Sequence, residues 1–178
     1  MIHHFAGEIR QLGYVVRDIE DAMSHWSGVL GVGPWFYLER FPVEDFRYKG
    51  KPSPAAFSIA LANSGGLQVE LVAPLDEAPS MYRDFLARGN EGLQHLGFWA
   101  YDIDKDLNSA LEAGYAIGQS GNTKRGPFYY LETEDRPDNV IELIAMNPER
   151  ERFCAAVEAA ARDWDGREPI RHRWPTVT

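Results

Sequence analysis

Four polar residues stand where ordinary packing would not put them. Glu70 sits between Val69 and Leu71, and Glu142 sits between Ile141 and Leu143. Both lie inside strongly apolar segments, where an unpaired buried carboxylate is costly and demands a compensating partner. Gln11 and His95 open two segments that repeat each other at a constant offset: Gln11-Leu12-Gly13-Tyr14 answers His95-Leu96-Gly97-Phe98, and Asp18-Ile19 answers Asp102-Ile103. A second echo relates Val69-Glu70-Leu71-Val72-Ala73 to Ile141-Glu142-Leu143-Ile144-Ala145. Taken singly, each Glu reads as a solvent-facing position on a half-exposed sheet, and His95 reads as a hydrogen-bonded structural histidine. Pseudo-twofold symmetry brings the four together, and the set Gln11, Glu70, His95 and Glu142 then suits a divalent cation. Imidazole binds first-row transition metals, while two carboxylates and an amide oxygen suit harder ions and cancel the charge. Zinc, manganese, cobalt, nickel and iron(II) all satisfy this donor set. Gly13 and Gly97 each follow a proposed ligand by two residues, on the same strand face, and leave space beside the cation. Small Ala56, Ser58 and Ala60 extend that space.

These side chains need two similar scaffolds. Residues 11–16 alternate as a strand, and Asp18 caps a helix whose stripe is Ile19, Ala22, Met23, Trp26 and Leu30, ending at Gly31. Residues 35–41 read as a second strand, and the charged, Pro-rich and aromatic segment to Pro54 reads as a surface loop. Alternation over 56–62, the Ser64-Gly65-Gly66 turn and the run 67–73 predict a hairpin. Ser80 caps a short connecting helix that Gly89 ends. The second half repeats the order, with strands at 95–100, 115–119, 128–133 and 140–145, a helix from Asp102 to about Ala113, and a last turn at 135–139. The predicted class is α+β: two pseudo-symmetric β-α-β-β-β modules at 8–75 and 93–147 forming a cupped sheet, with a connecting helix over 76–92. Asn147-Pro148 then opens a helix in the tail 148–178, with Phe153, Val157, Ala160 and Trp164 on one stripe. That stripe predicts docking, onto its own domain or onto a sister subunit of a homodimer.

The chain has 178 residues, 44% of them hydrophobic and 25% charged, which suits a globular core. A net charge of -9 opposes a nucleic-acid partner, because phosphate neutralisation requires clustered cations. Neither a spanning apolar run nor a signal-peptide core is evident, so no membrane partner is expected. The single Cys154 permits no intrachain disulfide and suits the reducing cytoplasm.

Over residues 8–147 the chain resembles the vicinal oxygen chelate superfamily, which includes glyoxalase I, methylmalonyl-CoA epimerase, extradiol dioxygenases and bleomycin-resistance proteins. The resemblance rests on the paired modules, on Gln-Leu-Gly-Tyr-Val-Val-Arg-Asp-Ile from Gln11, on Leu-Gln-Val-Glu-Leu-Val-Ala-Pro-Leu at 67–75, on Gly-Leu-Gln-His-Leu-Gly at 92–97 and on Val-Ile-Glu-Leu-Ile at 140–144. It implies a metal held by Gln11, Glu70, His95 and Glu142. Gln11 at the first ligand position departs from the two-histidine set of extradiol dioxygenases. The full set is similar to that of eukaryotic-type glyoxalase I, without a counterpart of its glutathione-binding residues. The surroundings of Glu70 and His95 look closer to methylmalonyl-CoA epimerase, whose additional base falls on Ser58 here. The implied activity is a metal-dependent isomerase, epimerase or lyase acting on a small carbonyl or CoA-thioester substrate through an enolate. Glu142 serves as the catalytic base in that reading, with Ser58 and Trp99 as substrate-binding residues. The alternative is a sequestering protein of the bleomycin-resistance type, in which Trp99 and aromatics such as Trp35, Tyr129 and Tyr130 stack on a planar ligand.

Overall fold

The computed structural model describes residues 7–175. The first module comprises β1 (Ile9–Val15), α1 (Ile19–Gly28), β2 (Trp35–Leu38), β3 (Glu44–Tyr48), β4 (Lys51–Pro52), β5 (Phe57–Ser64) and β6 (Leu67–Pro74). Helix α2 (Met81–Ala87) leads to β7 (Gly92–Ala100), α3 (Ile103–Glu112), β8 (Ala116–Thr123), β9 (Gly126–Thr133) and β10 (Arg136–Ala145). The tail supplies α4 (Pro148–Arg162) and β11 (Ile170–Arg171). Each helix starts where a short polar side chain takes up free backbone N–H groups. Asp18 accepts from Glu20 and Asp21, Ser80 from Arg83, Asp102 from Lys105 and Asn147 from Arg150. The turn expected at 135–139 falls earlier, since β10 already begins at Arg136.

All strands join one mixed sheet in the order β11-β2-β5-β6-β1-β7-β10-β9-β8-β3-β4. The two modules are spatial copies, β2-β5-β6-β1 and β8-β9-β10-β7, joined where β1 meets β7 antiparallel. The segment expected to be a loop, 42–54, instead forms the β3-β4 hairpin, which pairs with β8 of the other module. This pairing shapes the whole sheet. In a flat sheet β2 and β3 would stand about 38 Å apart, yet residues 39–43 link them and reach about 20 Å at most. The sheet therefore curls into a cup.

Helices α1 and α3 cover its convex face. Ile19 and Met23 of α1 pack on Ala60, Ala62, Val69 and Leu71, and Ala110 of α3 packs on Leu131, Ile141 and Leu143. The concave face is filled by Phe57, Ile59, Leu61, Phe128 and Tyr130, against which α4 lays Phe153, Cys154 and Val157. The tail helix thus docks on its own chain, inside the cup. Beyond it, β11 runs parallel to β2, and Trp174 stacks on Phe153 with ring centroids 4.8 Å apart.

Candidate metal centre

Strands β1 and β7 position the centre through two mirrored irregularities. Their register pairs Gln11 with Gly97 and Gly13 with His95, and it shifts by one residue just before each ligand, at Arg10 and at Gln94. A bulge of this kind lets two successive side chains share a face. Gln94 and His95 are accordingly both buried, and Gln94 Oε1 lies 2.8 Å from His95 Nδ1. An amide oxygen only accepts, so Nδ1 carries the proton and Nε2 points inward.

The glycines serve this arrangement differently from the expectation that they leave room for a bound molecule. A Cβ on Gly13 would lie 1.8 Å from His95 Cε1, and one on Gly97 would lie 2.8 Å from Gln11 Oε1. Each glycine makes the bed on which the ligand of the facing strand lies.

Strands β6 and β10 run parallel to β1 and β7 and place Glu70 beside Gly13 and Glu142 beside Gly97. His95 Nε2 lies 3.3 Å from Glu70 Oε2 and 3.5 Å from Glu142 Oε2, with all three residues buried. The three side chains form a cluster able to hold a metal ion, each offering one ligand atom within 4.8 Å of the others. Gln11 gives its Nε2 to Gln68 Oε1 at 2.9 Å, which leaves its own Oε1 as a free acceptor. With Nε2 unprotonated, Gln11 Oε1, Glu70 Oε2 and Glu142 Oε2 are all buried without a hydrogen-bond donor among the described residues. Three acceptor oxygens with no donor among the described residues, gathered around one imidazole nitrogen, are a donor set that fits a divalent ion.

A proton on Nε2 can occupy the same position as a cation. Burial disfavours a charged His95, but hydrogen bonding and charge from Glu142 and Glu70 outweigh it and push the imidazole up to about 9. Burial, opposed in part by His95, also holds the Glu70 carboxyl above its usual range.

Gln11, Glu70 and Glu142 open onto a cavity of about 190 Å³ whose walls are largely apolar. Trp99 lines it, with the Arg10 guanidinium 4.3 Å over its ring. Ser58 does not. On β5 the large residues Phe57, Ile59 and Leu61 face the cavity, while Ser58 is buried on the other face with Oγ 3.4 Å from Ala73 O. The expectation for Ser58 is corrected for a physical reason: both faces of β5 are covered, so its small side chains make room for α1 rather than for a ligand.

The structure adds residues that sequence reasoning passed over. Tyr82 donates to Tyr130 at 3.0 Å, and Tyr130 Oη lies 3.4 Å from His95 Nε2. Burial raises both phenols well above their ordinary range, so they remain neutral donors. Arg150 and Cys154 of α4 also line the cavity. Their spacing from Phe153 and Val157 was the available signal, since all four are buried on one side of α4.

Residues 10–131 match the family model described as Glyoxalase/Bleomycin resistance protein/Dioxygenase superfamily. Among curated proteins no sequence relative matches the chain. Solved structures with a similar fold include methylmalonyl-CoA epimerase from Mycobacterium tuberculosis, at 19% identity and a TM-score of 0.61, covering 85% of this chain and 95% of that one. A hypothetical protein from Bacillus halodurans C-125 is similar at 20% identity and a TM-score of 0.58, covering 79% and 94%. Streptomyces coelicolor methylmalonyl-CoA epimerase in complex with 2-nitronate-propionyl-CoA is similar at 19% identity and a TM-score of 0.56, covering 80% and 96%.

Proposed function

Because the chain belongs to the glyoxalase/bleomycin resistance protein/dioxygenase superfamily, we propose that it is a metal-dependent isomerase of the epimerase type, acting on a small carbonyl compound or the acyl end of a thioester. The observation that carries this reading is the three buried acceptor oxygens of Gln11, Glu70 and Glu142, which have no donor among the described residues, open to one cavity and surround His95 Nε2. Gln11 Oε1, one oxygen of each carboxylate and His95 Nε2 would hold the ion. Once bound, such a cation supplies Lewis-acid stabilisation, several kcal/mol, to negative charge developing on a carbonyl oxygen.

The chain's own residues do the rest. Glu142, on the cavity wall, takes the proton from the carbon next to the carbonyl. A positioned carboxylate of this kind adds about 10² to 10⁴ in rate. The Tyr82–Tyr130 pair supplies a neutral donor beside His95, and the apolar walls formed by Phe57, Phe128 and Phe153 exclude water.

The test is hydrogen exchange in D₂O with the metal content of the same sample measured. Loaded protein should wash deuterium into the acidic C–H of small 2-oxo compounds or acyl thioesters, and chelation should abolish the exchange. A loaded protein that exchanges nothing across such a panel, yet binds a planar aromatic ligand equally well after chelation, would favour sequestration. The aromatic wall of Phe41, Phe153 and Trp174 is the feature that would serve that second reading.

A further inference from the structure

The cavity carries a second polar feature that the proton-transfer chemistry does not use. Arg150 is 8% exposed and lines the cavity. Its hydrogen bonds all go to neutral acceptors: Nη1 to Ala145 O at 2.9 Å, and Nη2 to Thr123 Oγ1 at 2.8 Å and Gly126 O at 3.2 Å. Among the described residues no carboxylate forms a salt bridge with it. Three of the five guanidinium N–H groups are used, which leaves Nε–H and one Nη1 hydrogen beyond these bonds. A buried cation is normally paired in direct contact, whereas the carboxylates that act on Arg150, Glu142 and more weakly Glu70, do so across the cavity without a salt bridge among the described residues.

Its neighbours strengthen the point. Arg125, held against Glu149 at 3.3 Å, and the exposed Lys124 line the same cavity from the β8–β9 turn. One wall is thus cationic, while among the described residues the carboxylates on the cavity are Glu70 and Glu142.

We propose that Arg150 is the anion anchor of this cavity, so that the substrate carries a carboxylate at the end opposite the carbonyl held at the metal centre. This rests on the metal-centre reading above. The spacing follows from β10. Arg150 bonds the carbonyl of Ala145, which lies three residues beyond Glu142 and so about 10 Å along the strand. With side chains reaching inward from both ends, a chain of roughly four or five carbons spans the gap. A charge-assisted hydrogen bond from the remaining Nη1 hydrogen selects for the substrate's charge and orients it, presenting one carbon to Glu142. Arg150 is a specificity-determining residue in this scheme, carried by the tail helix inside the cup.

Succinate and glutarate, each against its monomethyl ester, are titrated calorimetrically into manganese-loaded wild type, Arg150→Gln and Arg150→Lys. One diacid should bind wild type about tenfold tighter than its ester, the discrimination of one charge-assisted hydrogen bond. That preference should fall to within about twofold in Arg150→Gln and recover in part in Arg150→Lys. Equal binding of diacid and ester to wild type, or an undiminished preference in Arg150→Gln, overturns the proposal. Should Arg150→Gln fail to fold, a crystal structure of wild type with glutarate decides: a carboxylate on Arg150 Nη1 supports the anchor, and one directed elsewhere overturns it. Manganese uptake separates the two claims. Wild type that takes no manganese overturns the metal centre and the anchor together, whereas uptake without a diacid preference overturns the anchor alone.

Discussion

Gly13→Ala should empty the centre without changing any ligand. The added methyl would lie 1.8 Å from Cε1, 2.0 Å from Nε2 and 2.4 Å from Nδ1 of His95. No rotation of the methyl relieves this, so the ring must leave its bed. Overpacking a tight interior costs about 1–3 kcal/mol, and losing the buried Nδ1 contact to Gln94 adds about 1 kcal/mol. The metal-free variant should therefore be about 2–4 kcal/mol less stable than wild type in urea denaturation with chelator present. Its metal content should fall to background in elemental analysis, because the displaced imidazole no longer faces Glu70 and Glu142. Gly28→Ala is the control, since nothing lies within 4 Å of its Cβ position on α1. That change should be neutral or stabilise by up to about 1 kcal/mol. Wild-type stability and one bound metal ion in Gly13→Ala would refute the cross-strand bed.

Further outcomes follow from the same geometry. Glu142→Gln keeps the size and a carbonyl oxygen, so metal should remain bound while solvent exchange falls about 10²-fold or more; near-native exchange with metal bound would remove Glu142 as the base. Metal-free protein should lose stability as pH rises. His95 stands at about 9 folded against 6.5 unfolded, so its contribution of about 3 kcal/mol is fully present below 6.5 and gone above 9. Urea midpoints across that window check this, and saturation with metal should reverse the trend, because the ion competes with the proton on Nε2. Ser58→Ala should change exchange by less than about twofold, since Ser58 faces away from the cavity.

Much of this architecture is legible in the sequence because it is local or repeated. The caps Asp18, Ser80, Asp102 and Asn147 begin the four helices as their chemistry requires. The repeated segments around Gln11 and His95, and around Glu70 and Glu142, align in space because β1 and β7 pair at the module junction. What stayed hidden depends on long-range packing. Alternation on β5 separates Phe57, Ile59 and Leu61 from Ser58, Ala60 and Ala62 but cannot say which set faces the cup when both faces are covered. The β3-β4 hairpin escaped notice because its partner, β8, lies in the other module. Gln94 escaped because only a bulge brings adjacent residues to one face. Arg150 carries no apolar signal of its own, and only the docking of α4 inside the cup buries it.

The central claim is that Gln11, Glu70, His95 and Glu142 hold one divalent cation. Equilibrium dialysis of wild type and His95→Ala against manganese and zinc, with bound metal counted per chain, tests it most directly. Wild type should retain one ion, with release of about one proton per ion below pH 9. His95→Ala should retain none under the same conditions, while its far-ultraviolet circular dichroism stays that of wild type. A wild type that binds no ion, or a folded His95→Ala that holds one as tightly, would contradict the account.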